Sequence, residues 1–434
     1  MAHKSALVTT KRVVVTVHGI RTHATWQKTV TPILNRSGLI VEPHDYGRFG
    51  FFRFARQSAR DAEVERFRAL YEGIVKNKDY DLDPDDPTRR PSVVAHSLGT
   101  YIVGHCMRRH SYVRFDKVIL CGSILSRGFD WSELFARDQV NFVKNLRCMK
   151  DPWVPRAHLV VPDAGSSGVD GFSYWGRLLE ERRRDECSHS DFFSEADVQE
   201  DWIRFLGRRP STFRIIHSRV IETDPDLEGL LDQTHQIDTK VFANCPHYFD
   251  QELPRGVSTG WTDVNRDIYT FLVLRNTQRP IGYVNAMPVT NECFDEILAG
   301  RKQDNEITPD DVASYEPGSV LSLYLMSIAV DPEYRKTNSG LDSEPVERLL
   351  NGVIGKLVCY ATQSDIRVSR IVAIGWTPVG RKLCKRLGMT AQGKDRFCNE
   401  IFYVDFSSPS SICDRYRHPG IKRLMTEYSR MIAK

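Results

Sequence analysis

The stretch Ser92–Tyr101, SVVAHSLGTY, decides how the first half of the chain folds. A β-branched, apolar run stops at Ser97 and apolar residues then recur at helical spacing, which predicts a strand, a sharp turn and a helix. Residues two before and two after such a serine must be small, and here they are Ala95 and Gly99. The turn exposes the Ser97 hydroxyl as a nucleophile and aims the N–H of Leu98 at a developing oxyanion. A serine in an ordinary strand-to-helix turn is the alternative.

Length and composition narrow the class of protein. At 434 residues the chain suits two domains, and its net charge of +4 indicates no nucleic-acid or membrane partner. No apolar run approaches the ~18 residues of a transmembrane helix, and Met1–Thr10 lacks the apolar segment of a signal peptide. The 10 cysteines show no C-x-x-C pair and no zinc spacing, which predicts free thiols, no metal site and a reducing, cytoplasmic compartment. The oligomeric state stays unknown.

Two polar residues downstream of Ser97 are candidate partners of the nucleophile. Asp151 follows an apolar run, where the acid of a Ser–Asp–His triad is expected. Asp163 and Asp170 are alternatives for this role. His189 lies in a polar loop before two aromatic residues, which is typical of a base that works between a serine and a carboxylate.

The remaining elements of the first half follow from periodicity. The charged stretch Arg53–Val75 carries apolar residues at near-helical spacing and predicts a long amphipathic helix. The charge run Glu180–Glu186 is interpreted as a solvated helix or loop. Other strands are predicted at Lys11–Val17, Leu39–Pro43, Lys117–Ser123 and His158–Pro162.

Residues 11–206 resemble the α/β-hydrolase family. Four stretches carry the resemblance: VHGIRTH at 17–23, VVAHSLG at 93–99, NLRCMKDPWV at 145–154 and HSDFF at 189–193. It implies a parallel sheet with helices on both faces, with Ser97 as nucleophile, His189 as base, Asp151 as orienting acid, and the N–H groups of Ile20 and Leu98 as oxyanion hole. A plain turn is the alternative for the loop at Ile20. No cap is inserted between Ser97 and Asp151, so we expect an open site that accepts a bulky, macromolecular or lipid ester.

The second half has a different pattern. Its most apolar strand, Leu321–Val330, leads into a basic, Gly-containing loop and then a helix from about Pro345 to Leu357, which predicts an anion site at the helix N-terminus. Further strands are predicted at 213–216, 270–274, 279–287, 370–374 and 400–404, with helices at 224–231 and 377–387.

Residues 213–406 resemble the GNAT family of acyl-CoA-dependent N-acetyltransferases. The family motif V-x-P-x-x-R-x-x-G-x-G matches Val330–Gly340, with Asn338 in place of the first glycine. The resemblance implies acetyl-CoA or another acyl-CoA as cofactor, bound by Ile328, Val330, Arg335, Lys336, Asn338, Gly340 and Leu341. The tyrosine that often acts as general acid in the family falls at Cys384, and the general base is unassigned. Tyr324 is a weak candidate for that base.

We therefore predict an α/β protein with two enzymatic parts. The predicted domains are 1–208, a hydrolase; 209–212, a linker; 213–406, a GNAT-like acyltransferase; and 407–434, a basic helical tail. The first cleaves an ester or thioester through an acyl-enzyme and needs no cofactor, and the second transfers an acyl group to an unknown amine. One alternative keeps the hydrolase as the only enzyme, regulated by a CoA-binding sensor domain. Another is a non-catalytic interaction protein.

Overall fold

The computed structural model describes residues 12–19, 25–44, 55–159, 161–249, 253, 256–335, 344–407 and 418–432. The chain divides into two units. The first consists of Met1–Phe129, Asp138–Phe172 and Arg177–Ser211, and the second of Asp130–Arg137, Ser173–Gly176 and Thr212–Lys434. Among the described residues no helix is both long enough and apolar enough to cross a membrane.

The first unit contains a six-stranded sheet in the spatial order β2-β1-β3-β4-β5-β6, and every neighbouring pair is parallel. Consecutive residues of β1 and β3 are buried, so both faces of the sheet are covered, as their continuous apolar runs require. This parallel sheet confirms the predicted fold class of the first half. The strands are β1 (Arg12–Val17), β2 (Leu39–His44), β3 (Ser92–His96), β4 (Phe115–Cys121), β5 (Val140–Cys148) and β6 (Leu179–Arg184).

Helices connect these strands. The predicted amphipathic helix is confirmed as α2, and it buries Val64, Phe67, Tyr71 and Ile74 at helical spacing. The short helix α4 belongs to the second unit. The helices of this part of the chain are α1 (Thr25–Arg36), α2 (Gln57–Lys76), α3 (Leu98–Arg109), α4 (Trp131–Ala136), α5 (Ser167–Asp170), α6 (Glu195–Asp197) and α7 (Ile203–Leu206).

Two predicted elements of the first half are wrong. The charge run Glu180–Glu186 supplies most of β6, because an edge strand pairs on one side only and can keep its charged side chains in solvent. Its acidic groups are paired in the structure, Glu180 with Lys144 at 2.9 Å and Glu181 with Arg147 at 3.0 Å. The strand expected at His158–Pro162 is absent from the described residues, and Val154–Leu159 instead forms a 3₁₀ helix.

The second unit contains a seven-stranded mixed sheet in the order β12-β13-β11-β10-β9-β8-β7. Its single parallel pair is β10 with β11, and the other neighbours are antiparallel. A mixed α/β fold for the second half is thereby confirmed. The strands are β7 (Phe213–His217), β8 (Tyr269–Leu274), β9 (Pro280–Val289), β10 (Val320–Val330), β11 (Arg367–Gly375), β12 (Thr390–Lys394) and β13 (Glu400–Asp405).

Two helices of the second unit form much of its core. The apolar faces of α11 and α13 share one cluster of buried residues that includes Leu349, Leu357 and Leu424. The Tyr428 hydroxyl of α13 also accepts a hydrogen bond from the Val368 N–H at 3.1 Å. The helices of this part of the chain are α8 (Asp224–Phe242), α9 (Val257–Val264), α10 (Asn291–Leu298), α11 (Glu344–Gln363), α12 (Pro378–Arg386) and α13 (Pro419–Ile432).

Candidate functional sites in the two units

Ser97 occupies a strained turn between β3 and α3. Its backbone has φ 52° and ψ −118°, a conformation that residues with a Cβ rarely adopt. The Ser97 N–H donates to the carbonyl of Cys121 at 2.9 Å, which ties the turn to the end of β4. A Cβ at Gly99 would lie 2.5 Å from the carbonyl oxygen of Val17, and a Cβ at Gly19 would lie 2.8 Å from the Cβ atom of Ser97. Neither Gly99 nor Gly19 therefore leaves room for a side chain beside this turn.

Asp151 and His189 form a hydrogen-bonded pair. His189 Nδ1 lies 2.5 Å from Asp151 Oδ2, and Oδ1 of the same carboxylate accepts the N–H groups of Trp153 at 2.8 Å and Val154 at 3.2 Å. Asp151 is only 3% exposed. Burial alone would raise the pKa of Asp151, but the hydrogen bond and charge of His189 and the two backbone N–H groups outweigh it and lower that pKa.

The two alternative acids make other contacts. Asp163 accepts a hydrogen bond from the Tyr101 hydroxyl at 2.7 Å, and Asp170 accepts one from Ser166. Neither carboxylate has a described contact with His189, so Asp151 is the carboxylate that the structure brings to His189.

The ring of His189 lies over the ends of β3 and β4. Its centroid is 4.7 Å from that of His96, the residue before Ser97. A Cβ at Gly122, just after β4, would lie 3.4 Å from His189 Cε1 and Nδ1. Because His96 pairs with Cys121 in the sheet, His189 is held at the edge where Ser97 turns. Among the described residues no hydrogen bond joins the Ser97 hydroxyl to His189.

His96 is a functional candidate that the sequence analysis missed. It is fully buried, and its Nε2–H donates to the backbone carbonyl of His189 at 2.9 Å. Burial, aided by the neighbouring His189, lowers the pKa of His96 to about 3, so it is neutral at ordinary pH. The only sequence signal was its place in the turn, since the contact joins residues 93 positions apart.

The structure describes one of the two predicted oxyanion donors. Leu98 is the first residue of α3, so its N–H has no acceptor inside the helix and is available to a ligand. Ile20, the second predicted donor, lies outside the described residues.

The prediction that all cysteines are free is wrong. Cys148 and Cys187 form a disulfide with their Cα atoms 5.7 Å apart. Cys148 is the last residue of β5, shortly before Asp151, and Cys187 lies two residues before His189. The bond therefore connects the two segments that carry Asp151 and His189. Its sequence separation of 39 residues matches no local spacing rule, because the contact arises from the neighbouring positions of β5 and β6.

The second unit contains a cavity of about 990 Å³ between diverging strands. β10 and β11 pair only over residues 320–324, and beyond them Leu325 and residues 327–330 of β10 pair with β9 alone. Met326 is an extra residue at a β-bulge, which bends β10 at the point of divergence. Leu325–Ile328 and Ala373–Ile374 line the opening that results.

Three of the predicted acyl-CoA residues line this cavity: Ile328, Val330 and Arg335. The Arg335 Nε donates to the carbonyl of Val330 at 2.7 Å, which holds the guanidinium at the end of β10. Lys336, Asn338, Gly340 and Leu341 lie outside the described residues.

Other predicted groups of the second unit have different environments. Cys384 lines the cavity, and burial raises the pKa of its thiol to about 12, so it is neutral. The Tyr324 side chain is fully buried and its hydroxyl donates to Asp304, which makes it a core residue.

No family model and no curated protein matches the sequence. Solved structures similar to part of the chain include a "predicted CIB-like hydrolase" from Thermoplasma acidophilum, at 13% identity over 46% of this chain and 88% of that one, with a TM-score of 0.32. An esterase domain from a Rhodothermus marinus protein has 14% identity over 46% of this chain and 90% of that one, with a TM-score of 0.29. An α/β serine hydrolase without lid from Xanthomonas campestris has 15% identity over 46% of this chain and 84% of that one, and its TM-score is also 0.29. Similarities of this size assign no activity.

Proposed function

We propose that the first unit is a serine hydrolase that cleaves an ester or thioester through an acyl-enzyme. The observation that carries this proposal is His189, bound to Asp151 at Nδ1 and held by His96 at its carbonyl, beside the strained turn of Ser97. A merely structural histidine would not need a buried carboxylate on one side and a strained serine on the other.

The geometry supports a two-step reaction. His189 takes the proton of the Ser97 hydroxyl as its oxygen bonds to the acyl carbon, and the Leu98 N–H stabilises the oxyanion. Asp151 stabilises the imidazolium, which then returns the proton to the departing alcohol or thiol. Water, deprotonated by His189, cleaves the acyl-enzyme and restores Ser97. The absence of a cap between Ser97 and Asp151 in the sequence favours a bulky or lipid acyl substrate.

Labelling of the full chain with a fluorophosphonate tests this proposal. We expect stoichiometric labelling that is abolished in Ser97→Ala and in His189→Ala, because each substitution removes part of the activated nucleophile. Ser190→Ala is the matched control, since this exposed serine lies next to His189 and should leave labelling unchanged. Labelling that survives Ser97→Ala, or a folded wild-type chain that is never labelled, would contradict the proposal and favour a non-catalytic interaction protein.

We propose further that the second unit binds acyl-CoA and transfers its acyl group to an amine. The divergence of β10 from β11 supports this, because it leaves strand backbone unpaired beside a cavity large enough for a cofactor. The thioester carbonyl would accept a hydrogen bond from backbone N–H groups near Ile328–Val330, as the resemblance implies, with Arg335 near the phosphates.

Calorimetric titration with acetyl-CoA tests the second proposal. We expect saturable binding that weakens in Arg335→Ala, and release of free CoA when an amine is added. Binding without transfer, accompanied by a change in ester cleavage, would favour the sensor alternative. Absence of binding would contradict both.

A further inference from the structure

One wall of the cavity in the second unit carries a chain of hydroxyl groups that ends at a carboxylate. The Tyr283 hydroxyl of β9 donates to Asp238 Oδ1 of α8 at 2.5 Å. Because the Tyr283 hydroxyl proton is already donated to Asp238, the Tyr283 oxygen accepts a hydrogen bond from the Ser327 hydroxyl of β10 at 3.0 Å. All three residues line the cavity, and Ser327 directly precedes Ile328. The chain of hydroxyl groups therefore runs from the predicted thioester position to a half-buried carboxylate on α8.

The side chain of Asn285 on this wall shares a hydrogen bond with Tyr269 but keeps one oxygen without a described donor. Asn285 is 2% exposed and lines the cavity, yet no described residue donates to its Oδ1. A buried acceptor of this kind is unfavourable unless a ligand supplies the donor. The residue lies opposite Ser327 in the pairing of β9 with β10, so the missing donor would sit close to the hydroxyl chain.

The charges around the cavity indicate the sign of that ligand. Its lining includes four carboxyl groups, those of Glu228, Asp232, Asp238 and Asp304, and one guanidinium, that of Arg335. Arg335 stands at the end of β10, whereas Asp238 belongs to α8. The excess of negative charge favours a cation that also donates hydrogen bonds.

We propose that Asp238 takes the proton of the bound ammonium group through Ser327 and Tyr283, and that Asn285 accepts a hydrogen bond from the same group. This inference rests on the proposed acyl transfer and names the residues that bind the amine and accept its proton.

The step balances without any further reagent. The ammonium nitrogen protonates the Ser327 oxygen while the Ser327 proton moves to Tyr283 and the Tyr283 proton moves to Asp238. The neutral amine then forms a bond to the thioester carbon, and collapse of the adduct breaks the C–S bond. The thiolate of CoA takes the second proton from nitrogen, and Asp238 returns the first to solvent.

The protonation of Asp238 suits this role. Burial raises its pKa to about 7, the bond from Tyr283 opposes that rise, and Asp304 adds to it. The titratable groups that act on it are Tyr283 and Tyr269 from the sheet and Asp304 from the 3₁₀ helix after α10. Glu228, Asp232 and His235 of its own helix line the same cavity. Because the base must be ionised, transfer should increase with pH up to about 7 and then level off.

The experiment measures release of CoA thiol from acetyl-CoA with spermidine, cadaverine and L-lysinamide as ammonium probes, between pH 5.5 and 9. Calorimetric binding of acetyl-CoA is measured in parallel for each variant. We expect Asp238→Asn and Tyr283→Phe to lower kcat about 100-fold and to remove the rise with pH, with acetyl-CoA affinity unchanged. Asn285→Ala should raise the KM for the amine about 10-fold with a smaller effect on kcat. Tyr248→Phe, which removes a hydroxyl from another part of the cavity lining, is the control and should leave the rate and its pH profile unchanged.

The outcomes separate the two proposals. If acetyl-CoA does not bind the wild-type chain, the proposed acyl-CoA function itself fails. If acetyl-CoA binds but none of the ammonium probes releases CoA, the acceptor class is wrong. If transfer occurs and Asp238→Asn keeps both the rate and the pH profile of the wild type, the proton route is wrong.

Discussion

Asp151 in the first unit is buried and Asp238 in the second is a half-buried residue of the cavity wall, and their pKa values move in opposite directions. Asp151 accepts three hydrogen bonds, from His189 and from two backbone N–H groups, and its pKa is lowered. Asp238 accepts one described hydrogen bond, from Tyr283, and lies near Asp304, and its pKa rises to about 7. Burial opposes ionisation in both, so the number of donors and the neighbouring charge decide the outcome.

This difference in pKa suits the two carboxyl groups to two different chemical roles. A carboxylate that stays ionised across neutral pH can orient a histidine and stabilise its charged form, and Asp151 has that environment. A carboxyl group that titrates near neutrality can accept and return a proton in each turnover, and the environment of Asp238 suits this second role. The predictions below test whether the two acids differ in this way.

The largest effect is expected from Asp151→Asn. The substitution keeps the shape but favours the wrong tautomer of His189, so kcat for hydrolysis of p-nitrophenyl acetate should fall about 10³–10⁴-fold. Initial rates under saturating substrate measure it. Asp163→Asn and Asp170→Asn are matched controls and should stay within a few-fold of wild type, because these acids bond to Tyr101 and Ser166 instead. If one of the controls lowers kcat greatly while Asp151→Asn lowers it only mildly, the aspartate changed in that control is the acid that assists His189.

A second expected effect concerns stability. Among the described residues only the first unit contains a disulfide, and it closes a separation of 39 residues between the segments of Asp151 and His189. Loop-closure entropy gives about 4 kcal/mol of stabilisation for a loop of this length. Urea unfolding of the Cys148→Ser, Cys187→Ser double variant should show a loss near this size, together with weaker hydrolysis. Cys398→Ser, which removes an exposed free thiol, should show neither.

His96 provides a smaller test of how the base is held. His96→Phe keeps a ring against His189 but removes the donor to its carbonyl, so kcat for hydrolysis should fall about 10- to 100-fold while KM changes little. His96→Gln retains an N–H donor and should recover most of the loss. Equal activity of the phenylalanine variant and wild type would show that Asp151 alone positions the base.

Local patterns in the sequence predicted most of the fold. Buried strands such as β1 and β10 are continuous apolar runs, and the Ser97 turn is marked by small residues on both sides. The edge strand β6 was missed because it pairs on one side only and carries the composition of a solvated segment.

The site groups that were missed share one property, which is that their partners are distant in sequence. His96 bonds to a residue 93 positions away, Asp238 to one 45 positions away, and Cys148 to one 39 positions away. Such contacts depend on which strands become neighbours, and no local spacing encodes them. Ser97, Asp151 and His189 could be singled out because each follows or precedes a recognisable element.

The smallest expected effect is on the pH dependence of folding stability, and it has opposite signs for Asp151 and Asp238. The pKa of Asp151 is lowered on folding, so its stabilisation is present above the unfolded pKa of about 4 and is lost as pH falls. The pKa of Asp238 is raised to about 7, so the unfolded chain binds fewer protons there, and stability falls as pH rises from about 4 to about 7. Asp151→Asn should therefore destabilise the chain at pH 8, whereas Asp238→Asn should stabilise it there by about 1–3 kcal/mol relative to its effect at pH 4. Urea unfolding at both pH values measures the difference. If both substitutions destabilise at pH 8, Asp238 is ionised at lower pH than its burial implies, and it would share the orienting character of Asp151.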